Sequence, residues 1–156
     1  MSSHYLHKPG EGHGNIFHWN ATPTRNLGNS KEIFLVGANN PANILTTIWS
    51  NRQKKFFEQN FTIVETQYEQ LARQMLLLAI SLDQNYLTYK EKVFCYLEIY
   101  GNSFIRSSVQ IVLDNFINDL IEALTDPDYC KKRFANFDFH SQLKQRDVDL
   151  GCLKFT

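Results

Sequence analysis

Apolar residues recur along this chain in two rhythms, and the switches between them outline a β-α-β unit followed by helices. A short run of branched and aromatic residues, Ile33-Phe34-Leu35-Val36, ends at Gly37. Such a run suits a strand buried in a parallel sheet, and the glycine suits the sharp turn that leaves it. Residues 41–50 predict a helix, with Pro41 in its first turn and Ile44, Leu45 and Ile48 on one face, widened by Trp49. A second strand follows at Phe61-Thr62-Ile63-Val64 and is closed by Glu65. Two Thr-x-x-Glu capping boxes, Thr66 with Glu69 and Thr88 with Glu91, then open two further helices. The first carries Leu71, Met75, Leu78, Ala79 and Leu82 at helical spacing. The second carries Val93, Phe94, Leu97 and Tyr100 and ends at Gly101-Asn102. The strongest helical pattern covers residues 107–124, where Val109, Val112, Leu113, Phe116, Ile117, Leu120, Ile121 and Leu124 alternate by threes and fours against Asp114, Asn118 and Glu122. Asp126-Pro127-Asp128 reads as its stop. Residues 134–139 alternate like a short edge strand or an extended aromatic clamp, and residues 141–153 are mixed and predicted helical in part.

The pattern predicts an α/β fold: a partial Rossmann-like (methyltransferase-like) sheet with several packed helices, helix-rich, with the C-terminal part of the fold missing. The sheet reads as incomplete because a doubly wound sheet has about five strands or more, whereas two are legible here and a third only weakly. Residues 1–15, rich in Gly and His without apolar periodicity, read as a flexible N-terminal arm. Residues 16–156 read as one truncated Rossmann-like domain, led in by an irregular segment that packs the aromatics Phe17 and Trp19.

Composition narrows the function classes. Lys plus Arg and Asp plus Glu number 16 each, so the net charge is zero and no cationic excess exists to bind nucleic acid or an anionic membrane. Cys95, Cys130 and Cys152 are an odd, widely spaced set, which points away from a disulfide framework or zinc site and toward a reducing compartment. The N-terminus lacks the apolar core of a secretion signal, and the apolar run at residues 75–80 is too short to span a bilayer. A soluble cytoplasmic protein is expected, and the sequons at Asn20 and Asn60 then read as chance matches.

Candidate chemistry concentrates at the strand ends. Gly37 stands where a cofactor's phosphates would approach the backbone, and Glu65 where a carboxylate would hold a ribose. The loop has this one glycine, followed by bulky Asn39, Asn40 and Pro41, so both residues read as vestigial cofactor-binding positions and no cofactor is expected. His4, His7, His13 and His18 match no zinc spacing, and no metal is expected. No catalytic residue emerges: Cys95 sits inside an apolar helical pattern, while Asp138 with His140 and Arg146 with Asp147 lack the company catalysis needs. Aromatics make up 13% of the chain, more than a small core needs, and Phe134, Phe137 and Phe139 are the expected partner-binding anchors.

The order of these pieces resembles the N-terminal, methyltransferase-like region of the dynein axonemal assembly factor 3 family. The resemblance runs through Leu35-Val36-Gly37-Ala38, Asn43-Ile44-Leu45, residues 61–65, residues 71–76, Glu91-Lys92, and above all Tyr96-Leu97-Glu98-Ile99-Tyr100-Gly101-Asn102. It extends weakly to residues 143–147. Family members are longer, so the resemblance implies a chain lacking their C-terminal part. It also implies a noncatalytic scaffold or adaptor in the cytoplasm, needed to preassemble dynein arms for motile cilia, with axonemal dynein subunits, other assembly factors or chaperones as partners. The alternatives are a structural protein bound to dynein in the axoneme and an S-adenosylmethionine-dependent methyltransferase.

Overall fold

The structure, a computed structural model, describes residues 23–38, 40–52, 58–65, 67–101 and 104–140, together with the backbone of 151–155. It is a mixed α/β domain in which β1 (Glu32–Val36), α1 (Ala42–Asn51) and β2 (Asn60–Glu65) form the expected unit. The helices α2 (Tyr68–Leu82), α3 (Tyr89–Gly101), α4 (Ser107–Thr125) and α5 (Pro127–Arg133) follow, then the short strand β3 (Phe137–Asp138) and β4 (Gly151–Phe155). No helix among the described residues is long and apolar enough to cross a membrane.

The sheet has four strands in the order β1-β2-β4-β3, and only β1 and β2 are parallel. β4 runs antiparallel to β2 and to β3, so the sheet is mixed, which corrects the expectation of a wholly parallel one. It also corrects the C-terminal helix expected over residues 141–153: 151–155 form an inner strand, and 141–150 lie outside the described residues. The edge strand read at residues 134–139 is present as β3.

Register sets the two faces of the sheet. Ile33 and Leu35 pair with Phe61 and Ile63, and paired residues in adjacent strands point to the same side. That side meets Ile44 of α1 and Leu71 and Leu78 of α2 in the hydrophobic core. Phe34 and Val36 point the other way and are 66% and 71% exposed. α2 packs against α3, α4 and the sheet, which explains why its residues 77–80, Leu-Leu-Ala-Ile, are buried all round. The lead-in at residues 23–31 is held by buried polar side chains rather than by regular structure. Thr47 Oγ1 accepts from the Leu27 amide, and Asn51 and Gln59 donate to the Gly28 carbonyl. Phe17 and Trp19 lie outside the described residues.

Two helix starts show how capping decides boundaries. At α3 the box is formed: Glu91 accepts from the Thr88 amide at 2.8 Å, and the Glu91 amide donates to Thr88 Oγ1 at 3.4 Å. α2 begins after Gln67, which makes no side-chain cap, and the expected Thr66 lies outside the described residues. Asp126-Pro127 both ends α4 and starts α5, because Asp126 accepts from the Asp128 and Tyr129 amides while proline fills the first helical position.

The helices are locked together by one buried cation. Arg133 of α5 is 8% exposed and donates to Asp119 of α4 at 2.7 Å and to Asp83, just past α2, at 3.0 Å. Its guanidinium lies over the rings of Tyr86, Phe134 and Phe116, with centroids 4.2, 4.8 and 5.1 Å away. Burial pushes the Asp83 carboxyl up, but the amides of Tyr86 and Leu87 and the Arg133 guanidinium together outweigh it and hold it below the ordinary aspartate range. A depressed folded value stabilises the fold above the unfolded pKa of about 3.9, and that part is lost as pH falls through the folded value. Asp83→Asn, which strands part of a buried charge, is expected to cost about 3–5 kcal/mol near neutrality. In urea titrations the gap between wild type and variant should narrow from about pH 6 to about pH 3, and a constant gap would contradict this role.

Candidate functional site

The loop that would cradle a cofactor is closed by its own side chains. Gly37 turns the chain out of β1 at φ 63°, a left-handed conformation that favours glycine, and its amide donates to the Val64 carbonyl at 2.9 Å. This bond, together with the pairing of Val36 and Val64, brings Gly37 and buried Glu65 to the same end of the sheet, as the strand pattern predicts. Between them and α1 stands buried Asn40. Its Oδ1 accepts from the Ala42 amide at 2.8 Å, which occupies a donor at the α1 N-terminus, the feature that would attract a phosphate. Its Nδ2 donates to the Tyr100 hydroxyl at 2.6 Å. Asn39 lies outside the described residues.

The segment that closes the loop is the distinctive Tyr-Leu-Glu-Ile-Tyr-Gly at the end of α3. Tyr96 and Tyr100, one turn apart, stack with centroids at 5.7 Å. Arg73 of α2 lies 5.0 Å from the centre of the Tyr100 ring and donates to the Tyr100 carbonyl at 2.9 Å. On the other side of α3, buried Glu98 accepts from the side chain of Arg106 at 2.8 and 2.9 Å and from its amide at 2.6 Å, which fixes the entry into α4. These bonds from Arg106 hold the Glu98 carboxyl below its usual range. Burial pushes the Tyr96 hydroxyl up to about 12. The segment is therefore a junction between the strand-end loop, α2 and α4.

The aromatic anchors expected at the surface are core residues, which is a correction. Phe134, Phe137 and Phe139 are all buried, with Phe137 edge-on to Phe134 at 5.9 Å and tilted against Phe139 at 5.6 Å. They pack under α5 and the sheet edge, so their alternation reports a covered face. The open apolar surface lies elsewhere: Phe94 and Leu97 of α3, Phe104 between α3 and α4, Phe34 and Val36 of β1, and Ile117, Ile121 and Leu124 of α4. Phe104 is 91% exposed. Sequence reasoning missed these residues, although one signal was available. α3 is apolar on two faces, and a helix packed on one side cannot bury both.

Among the described residues no other candidate chemistry is assembled. His4, His7, His13 and His18 lie outside the described residues, as do Arg146 and Asp147. Among the described residues no three His, Cys, Asp or Glu side chains are grouped to hold a metal. Cys95 and Cys130 are buried free thiols, each pushed up by burial, and His140 Nε2 lies 2.9 Å from the Ala123 carbonyl.

These features define a mixed α/β domain built on a parallel βαβ unit whose strand-end loop carries buried Asn40, bonded to Ala42 and Tyr100. The chain belongs to the family described as a domain of unknown function, DUF4470, whose model matches residues 14–105. Its relatives include a protein named Dynein axonemal assembly factor 3 from Xenopus laevis, 37% identical over 131 residues, covering 79% of this chain and 26% of that protein. Proteins of the same name from Xenopus tropicalis and Danio rerio are 35% and 32% identical, over 79% and 64% of this chain. The chain spans about a quarter of the length of these relatives. No solved structure gives a significant match.

The junction makes a stability prediction. Tyr100→Phe removes the hydroxyl that accepts from Asn40 and should cost about 1–3 kcal/mol in urea unfolding, the usual penalty for stranding a buried donor. Tyr96→Phe removes a buried hydroxyl that has no hydrogen-bond partner among the described residues, so it should be close to neutral. Equal losses in the two variants would contradict the role given to Tyr100.

Proposed function

We propose that this chain is a noncatalytic protein-interaction module, a scaffold or adaptor that acts in the cytoplasm during assembly of axonemal dynein arms. The observation that carries the reading is the open apolar surface: β1 shows Phe34 and Val36 on an edge strand, α3 and α4 show Leu97 and Ile121, and the connection between them shows Phe104. Edge strands and apolar patches of this kind are the surfaces that partner chains cover. Relatives named for dynein assembly give the process, and axonemal dynein subunits, assembly factors or chaperones are the proposed partners. The parallel βαβ unit supports a methyltransferase-like origin for the domain. Its closed loop suits a fold retained for binding, although a fold by itself never fixes function.

Two other readings each rest on an observation. The adjacency of Gly37 and Glu65 at the strand ends favours an S-adenosylmethionine-dependent methyltransferase. The open edge of β1 suits residence in the axoneme, with a dynein or docking subunit completing the sheet. Affinity purification of the tagged chain from ciliated cells separates adaptor from resident. Recovery of dynein heavy or intermediate chains from the cytoplasmic fraction is the expected result, and recovery only from demembranated axonemes would favour the resident protein. Absence of dynein chains from both fractions would overturn the interaction reading.

A further inference from the structure

α2 and α4 pack against each other, and residues of both line a surface groove of about 370 Å³. Its floor and walls are apolar: Ala72 and Leu76 come from α2, and Ile117, Ile121 and Leu124 from α4. Ile117, Ile121 and Leu124 fall at helical spacing and are 39%, 57% and 41% exposed. They form a second apolar flank beside the one that α4 buries through Val109, Phe116, Leu120 and Ala123. A helix needs one such flank to join a core. The second is the shape that receives another helix.

Charge narrows the occupant. α4 carries no Lys or Arg, and exposed Asp114 stands one turn before Ile117, on the groove side. Exposed Glu69 stands one turn before Ala72 and Arg73 on the α2 side. Arg73 is the one basic residue lining the groove, and it is engaged with the ring and carbonyl of Tyr100. The rim is therefore acidic over an apolar floor. A second copy docking α4 on α4 would bring like charges together, because a two-fold contact sets the same surface on both sides.

We propose that the α2–α4 groove is a docking site for an amphipathic helix of a partner protein, one with an apolar stripe flanked by Lys and Arg. This rests on the interaction reading above and specifies its surface. The stripe would fill the groove over Leu76, Ile117, Ile121 and Leu124, while the flanking cations would meet Glu69 and Asp114.

The test uses a fluorescent synthetic helix with a leucine stripe and lysine flanks, and a twin carrying Glu for each Lys, titrated against the intact chain by anisotropy. The basic peptide should bind at least about tenfold tighter than the acidic twin, with the difference shrinking in high salt. Ile121→Asp should weaken the basic peptide about tenfold or more while leaving the melting temperature unchanged, since that side chain is more than half exposed. Asp114→Lys, at an exposed position, should narrow the preference between the peptides without loss of fold. Equal binding of the twins, no binding of either, or undiminished binding to Ile121→Asp would overturn the proposal. So would self-association of the wild type that Ile121→Asp abolishes, which would assign the groove to a second copy. Purification from ciliated cells separates the two levels. Ile121→Asp bait that recovers the same dynein chains as wild type sinks the groove and leaves the adaptor standing, whereas wild-type bait that recovers none sinks the adaptor whatever the peptides do.

Discussion

A buried guanidinium governs how this domain is put together. Arg133 is removed from water, so its charge must be met inside, and Asp83 and Asp119 meet it from two different elements. Tyr129 donates to Asp119 and the Tyr86 and Leu87 amides donate to Asp83, so the two carboxylates are themselves satisfied. Breaking such an arrangement strands a charge, which is why it holds three elements in one relative position: the end of α2, the middle of α4 and the end of α5. Phe116 and Phe134 stack on the same cation and tie it to the core.

The strand-end loop obeys a related constraint. A helix N-terminus offers amides that must be met by something, and in nucleotide-binding folds a ligand phosphate often does so. Here Asn40 does so from within the chain, and Tyr100 fixes Asn40 in turn. Tyr100 is held by Arg73 and by stacking on Tyr96. A structural network thus occupies the region where a methyltransferase would build its cofactor site. The apolar surface that remains open lies on β1, α3 and α4.

The βαβ unit was legible because Ile33-Phe34-Leu35-Val36 and Phe61-Thr62-Ile63-Val64 are short branched runs bounded by turn signals, and α4 because its spacing repeats over many turns. β4 was not legible. Its pairing with β2 is decided far away in the sequence, and the five residues Gly-Cys-Leu-Lys-Phe give local periodicity too little length to act on. α5 was missed because Asp-Pro is a stop for the preceding helix and a start for the next, and seven residues with Lys131, Lys132 and Arg133 at the end show no apolar stripe. Gly37 and Glu65 lie at one end of the sheet because each closes a strand of the parallel pair. Phe134, Phe137 and Phe139 show the limit of periodicity: a repeat says which residues share a face, and tertiary packing says whether that face is covered. The α2–α4 groove follows the same rule, since Ile117 and Ile121 belong to a stripe wider than α2 can cover.

The central claim is the proposal that this domain binds proteins and that its strand-end loop takes no nucleotide cofactor. Isothermal titration of the intact chain with S-adenosylmethionine tests it most directly. The account predicts no measurable binding heat, because Asn40 and Tyr100 occupy the groups such a ligand would need. A micromolar dissociation constant that Glu65→Ala abolishes would contradict it.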